Sequence, residues 1–163
     1  MDETALKEQI KQGMVYAMRL LMIAKRSEHD ICTRLKDKGY APDAIDSILS
    51  QLKQMRYVDD SQLAKNYVVY AAPGKQLGRR RLSLDLRKKG VSKEIVSGAL
   101  ESLSVSEEKK IAREAALNRY RKLSGMDEQV KKKRIYDFLI RRGFDYGVCR
   151  SIVERLTVTD ENN

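Results

Sequence analysis

Three glycines anchor a repeat that limits this chain more than any other feature. Set on Gly39, Gly90 and Gly143, the stretches "LKDKGYAPDAIDSILSQL", "LRKKGVSKEIVSGALESL" and "LIRRGFDYGVCRSIVERL" align without a gap. Four residues before the glycine stand Leu35, Leu86 and Leu139, and eight before stand Ile31, Leu82 and Ile135. Nine residues after it come Ile48, Ala99 and Ile152, and thirteen after come Leu52, Leu103 and Leu156. The residue before each glycine is basic (Lys38, Lys89, Arg142) and the residue after it is apolar (Tyr40, Val91, Phe144). The glycines lie 51 and 53 residues apart, so the chain is read as tandem units.

The physics of the unit follows from the spacing. Steps of four place apolar side chains on one helix face. Glycine takes the left-handed conformation that ends a helix, and a cation in the last turn meets the negative end of the dipole. A second helix then starts near Pro42, Ser92 or Asp145: proline suits a first helical position, and serine and aspartate suit N-caps. A third helix follows in the first two units. "DDSQLAKNYVVYAA" opens with Asp59 as N-cap and Gln62 at the capping-box position, and "SEEKKIAREAALNRYRK" opens at Ser106. Ahead of the repeats, Leu6, Ile10, Ala17, Leu21 and Ala24 recur at helical spacing, and Ser27 caps the next helix with Asp30 at its third position.

The spacing predicts helices over 4–25, 28–38, 42–56, 60–72, 77–89, 93–103, 107–123, 128–142 and 146–156, and no strand pattern competes. The expected fold is all-α: an elongated tandem array of three-helix, helix-turn-helix-like repeats with an N-terminal helix. Its expected divisions are the N-terminal helix 1–26, repeats at 27–73, 74–124 and 125–157 (the last truncated), and a disordered tail at 158–163. Neighbouring units are expected to share helices at their boundaries, because each has few apolar residues.

Charge narrows the function. Of 163 residues, 33 are Lys or Arg against 23 Asp or Glu, a net charge of +10, and such a surplus commonly meets polyanions. It is also clustered. "GKQLGRRRLSLDLRKKG" holds Lys75, Arg79, Arg80, Arg81, Arg87, Lys88 and Lys89 against Asp85 alone, and "VKKKRIYDFLIRRGF" holds Lys131, Lys132, Lys133, Arg134, Arg141 and Arg142 against Asp137. Lys89 and Arg142 are first of all helix-end residues. Arg142 nonetheless joins Lys75, Arg79, Arg80, Arg81, Arg87, Lys88, Lys131, Lys132, Lys133, Arg134 and Arg141 as a candidate partner- or DNA-binding residue. The competing reading is a solvated helix face whose aliphatic stems cover core edges. Tyr120 and Tyr136 are placed to stack on bases or to pack in the core. Myb-like modules share the period, but they depend on regularly spaced tryptophans and this chain has none.

Nothing in the sequence assembles a catalytic site. His29 is the only histidine and reads as a surface residue early in a helix. Asp59 and Asp60 read as cap chemistry, and "GKQLGRRR" lacks the ordered spacing of a phosphate loop. Cys32 and Cys149 match no metal-ligand spacing and read as inert buried thiols, which suits a reducing compartment. The apolar run "AMRLLMIA" is too short to span a membrane. A cytoplasmic, non-catalytic monomer with no cofactor and no metal is expected.

Three motifs resemble the RecX family, the bacterial regulators of the RecA recombinase. They are "YAMRLLMIAKRSEHDICTRLKDKGY", "YVDDSQLAKNYV" and "FLIRRGF", in the family's order and spacing over about residues 14–156. The resemblance implies binding rather than catalysis. Its partners would be RecA and the RecA filament on single-stranded DNA, with suppression of strand exchange, ATP hydrolysis and the co-protease activity of the SOS response. The alternative that the residues leave open is a stand-alone DNA-binding or architectural protein acting on bare DNA.

Overall fold

A computed structural model describes residues 2–156, and the expected tail at 158–163 lies outside them. The described residues form nine helices and no strand. They are α1 (Glu3–Ile23), α2 (Glu28–Asp37), α3 (Pro42–Gln54), α4 (Asp60–Gly74), α5 (Arg79–Lys88), α6 (Lys93–Leu100), α7 (Val105–Arg121), α8 (Glu128–Arg141) and α9 (Tyr146–Leu156).

Local chemistry sets most of their starts. The Ser27 hydroxyl accepts the Asp30 N–H at 3.1 Å, Asp59 Oδ1 accepts the Gln62 N–H at 2.9 Å, and Pro42 is the first residue of α3. Asp145 accepts the Gly147 N–H at 2.8 Å at the head of α9. One expected start is corrected. The cap of α7 is Ser104, not Ser106, because Ser104 and Glu107 form a reciprocal capping box, with the Glu107 N–H on the Ser104 hydroxyl and the Ser104 N–H on the Glu107 carboxylate.

The repeat glycines end helices as the spacing requires. Gly39, Gly90 and Gly143 have φ of 84°, 78° and 84°. In each case the next residue's N–H reaches back to the leucine carbonyl: Tyr40 to Leu35 at 3.2 Å, Val91 to Leu86 at 3.2 Å, Phe144 to Leu139 at 3.2 Å. The glycine N–H bonds a carbonyl one residue further on, Lys36, Arg87 or Ile140. This paired pattern satisfies carbonyls that the helix leaves without partners. Two more helices end the same way without glycine. Arg56 (φ 58°) follows α3 and Gln76 (φ 51°) follows α4, with the Tyr57 and Leu77 N–H groups on the Leu52 and Ala72 carbonyls.

The described residues pack as two compact units, 2–64 with Leu86–Val96, and Lys65–Asp85 with 97–156. In the first unit α1 packs on α3 and touches α2, around a core of Ala17, Ile31, Leu35, Ile45, Ile48 and Leu52, each at most 1% exposed. Gly13 lets α1 approach closely, since a Cβ there would lie 2.5 Å from Ile48 Cδ1. In the second unit α7, α8 and α9 pack on one another and bury Ile111, Ala115, Ile135, Leu139, Phe144 and Cys149. Every aligned apolar position before the glycine is buried. After it, Val91, Phe144, Ile48, Ala99, Leu52, Leu103 and Leu156 are buried, while Tyr40 and Ile152 are only partly so.

Each unit holds one copy of a joint. In the first, the N-terminus of α2 meets the C-terminal end of α5: the Ser27 hydroxyl donates to the Lys89 carbonyl, and the Glu28 N–H donates to Asp60 Oδ1 at 2.9 Å. In the second, the N-terminus of α5 meets the C-terminal end of α8. The Gly78 N–H donates to the Arg142 carbonyl at 2.9 Å, the Arg80 N–H to the Gly143 carbonyl at 3.1 Å, and the Arg79 N–H to Glu108 Oε1 at 2.9 Å. Both joints thus satisfy free polar groups at a helix start with carbonyls from another helix's end and with one carboxylate. The dipoles meet head to tail.

Candidate partner-binding surface

The joints decide which sequence-predicted cations remain available to a partner. Arg79 is committed to the fold. Its Nε lies 2.9 Å from Glu108 Oε2, a charge contact rather than an aligned hydrogen bond, and its guanidinium also donates to the Leu103 carbonyl. Glu108 is 7% exposed, so this is the most buried ion pair among the described residues. Arg142 is likewise structural: it donates to the Lys75 carbonyl at 2.6 Å and lies over the Phe138 ring at 5.1 Å.

Other members are partly engaged. Arg80 is exposed and stacks on Tyr146 at 4.3 Å. Arg81 pairs with Asp85 at 3.0 Å, and Asp85 also accepts the Tyr67 hydroxyl at 2.9 Å. Burial and that carboxylate push the Tyr67 phenol up to about 12. The Lys75 ammonium lies over the Tyr67 ring at 5.6 Å. Lys131 donates to Glu128 at 2.6 Å and lies over the Tyr120 ring at 4.7 Å, and its hydrogen bond to Glu128 raises its pKa above the usual lysine value. Tyr120, itself hydrogen-bonded to Glu128 at 3.2 Å, and Tyr136 are both half-buried.

The remaining cations face solvent. On α8, Lys133, Arg134 and Arg141 are exposed and Lys132 is half-buried, and none of the four has an ion pair among the described residues. Arg134 and Arg141 lie two turns apart, about 10 Å along the axis, on one face of the helix. In the first unit Arg87 and Lys88 are exposed at the last turn of α5, Arg87 reaching the Val91 carbonyl only at 3.5 Å. The sequence cluster therefore separates into anchors (Arg79, Arg142), aromatic- or acid-held cations (Lys75, Arg80, Arg81, Lys131), and cations without an ion-pair partner (Lys132, Lys133, Arg134, Arg141, Arg87, Lys88).

Sequence reasoning missed the acceptors that make this separation. Asp60 and Glu108 read as acids at helix starts, which they are, but each spends its carboxylate on a different helix. Burial pushes the Asp60 carboxyl up, against the lowering effect of the Glu28 N–H. His29 is exposed, and a Cβ on Gly90 would lie 2.3 Å from its Cγ, so it walls the first joint. Cys149 is buried, with its thiol pushed up to about 11 chiefly by burial, and Cys32 is half-buried; both are free. Among the described residues no group of three or more His, Cys, Asp or Glu is placed to hold a metal, and no helix is long and apolar enough to cross a membrane.

Fold and surface together define a class: an all-α protein of three-helix repeats that carries exposed cations. Family models assign it further. The first, second and third three-helix domains of RecX match residues 14–52, 59–100 and 107–153 in that order. The chain is 31% identical over 146 residues to the regulatory protein RecX of Chlorobium phaeobacteroides, covering 90% of this chain and 94% of that one. It is 29% identical over 148 residues to the regulatory protein RecX of Chlorobium limicola, covering 91% of each. The crystal structure of RecX from Lactobacillus salivarius shares the fold, with a TM-score of 0.84 at 22% identity over 93% of this chain and 99% of that one. The chain belongs to the RecX family of regulatory proteins.

Proposed function

We propose that the protein binds RecA and RecA filaments on single-stranded DNA, and that it lowers strand exchange, ATP hydrolysis and co-protease activity without catalysing a reaction itself. The reading places it in the cytoplasm, acting as a monomer in recombination, repair and the SOS response. The observation that carries it is the exposed α8 stripe of Lys133, Arg134 and Arg141, which no acidic side chain among the described residues neutralises. Solvated, unpaired cations are suited to phosphate or to an acidic protein surface, and phosphate contacts give affinity without sequence preference. Membership of a family of regulatory proteins supports the partner.

The test is RecA ATP turnover on single-stranded DNA with increasing protein, repeated over a salt series. Stoichiometric inhibition is expected. No effect at stoichiometric amounts rejects the reading. Tight binding to bare DNA without any effect on the filament would instead favour a stand-alone DNA-binding protein.

A further inference from the structure

The helices α7 and α9 line an open groove of about 620 Å³ that the basic clusters of the sequence do not include. One wall is a stripe on α7, Lys109, Lys110 and Arg113, all exposed. The other is α9, which contributes Val148 and Ile152, both half-buried, and exposed Arg155. None of the four cations has an ion pair or hydrogen bond to another described side chain. The apolar floor is unusual for this fold. Ile152 occupies the repeat position of Ile48 and Ala99, which are 0% and 2% exposed, yet Ile152 remains open to the groove.

We propose that this groove docks an acidic amphipathic peptide segment of a protein partner, whose apolar side chains cover Val148 and Ile152 while its carboxylates pair with Lys109, Lys110, Arg113 and Arg155. Four cations against the single acid of the lining, Asp145, select an acidic occupant, and the apolar floor selects a peptide. A phosphodiester backbone has nothing to place on Ile152, and it finds better partners in the exposed α8 cations Lys133, Arg134 and Arg141. The stripe on α7 from Lys109 to Leu117 spans about 12 Å, a length suited to about two to three turns of a bound helix. The site stands apart from the RecA reading and survives its failure.

The probe is a fluorescein-labelled synthetic peptide of about three helical turns, with leucine on one face and glutamate on the other. Polarisation should report saturable binding that weakens with salt. Lys110→Glu with Arg113→Glu, at exposed positions, should weaken it at least about tenfold, and so should replacing the peptide leucines by serine. In a titration of the ¹⁵N-labelled wild-type chain, the shifted amides should fall on α7 and α9, a readout that needs no variant. Equal binding of the leucine-free peptide overturns the proposal. So do unchanged binding by the double variant, shifts centred on other helices, and self-association through these residues with no peptide binding. A single-stranded oligonucleotide that shifts the same amides more strongly than the peptide overturns it in favour of nucleic acid.

Discussion

Gly78 and Gly143 face each other backbone to backbone: a Cβ built on Gly78 would lie 2.4 Å from the Gly143 carbonyl oxygen, and one on Gly143 would lie 2.2 Å from the Arg81 nitrogen. The glycine of the third repeat therefore has two jobs. It adopts the left-handed turn, and it admits the start of α5 into the end of α8. Gly39 has only the first job, since nothing lies within 4 Å of an added Cβ. Gly39→Ala should cost about 1–2 kcal/mol through its φ of 84° alone. Gly143→Ala should cost about 1–3 kcal/mol more through overpacking. Urea denaturation of the two variants measures the difference, and equal losses would contradict the joint.

Arg56 ends α3 at φ 58° with an exposed side chain and no glycine to relieve the strain. Arg56→Gly should raise stability by about 0.5–1 kcal/mol, because the left-handed penalty outweighs the extra freedom of glycine in the unfolded chain. A lower denaturation midpoint would show that the arginine side chain holds the turn.

Leu86 and Leu139 are 0% exposed at equivalent repeat positions. Either leucine replaced by alanine should lose about 2–5 kcal/mol. Thermal unfolding followed by circular dichroism tests this, and a loss below about 1 kcal/mol would mean that the site collapses around the cavity.

Asp30 carries a pH dependence whose sign is set by its partners. Burial pushes its carboxyl up, but hydrogen bonds from Arg26 at 2.8 Å and Arg34 at 3.1 Å outweigh burial and hold it below the usual value. A depressed native pKa stabilises above the unfolded value, and that stability disappears as pH falls through the native one. Asp30→Asn should therefore cost up to about 1 kcal/mol at neutral pH, a figure that allows for partial exposure of the pairs. Its denaturation curve should merge with that of the wild type well below the carboxylate range. A constant difference across pH would assign the effect to geometry instead of charge.

Charge reversal separates anchors from free cations. Lys133→Glu with Arg134→Glu and Arg141→Glu should leave helix content unchanged and weaken association with the filament. If these side chains meet single-stranded phosphate, the salt slope should fall by about 0.7 for each phosphate that the variant no longer neutralises. Arg79→Glu should act differently, lowering stability by leaving Glu108 buried against a like charge. Identical behaviour of the two sets would remove the distinction.

Much of this was legible in the residues. Glycine at a left-handed turn, leucine four residues before it and a capping side chain after it are local requirements, so their spacing revealed nine helices and the positions that line the core. The ends marked by Arg56 and Gln76 were less visible, because a non-glycine residue in a left-handed turn has no sequence signature. The fate of the charges depended on tertiary structure. Arg79, Arg80 and Arg81 are consecutive in sequence, yet one is anchored on Glu108, one stacks on Tyr146 and one pairs with Asp85. Lys109, Lys110 and Arg113 sit among acids in the chain but line an open groove in the fold. Helix ends are set by residues within one turn of each other, which the sequence places in order. The freedom of a cation is set by an acceptor that lies on another helix, and only packing brings that acceptor near.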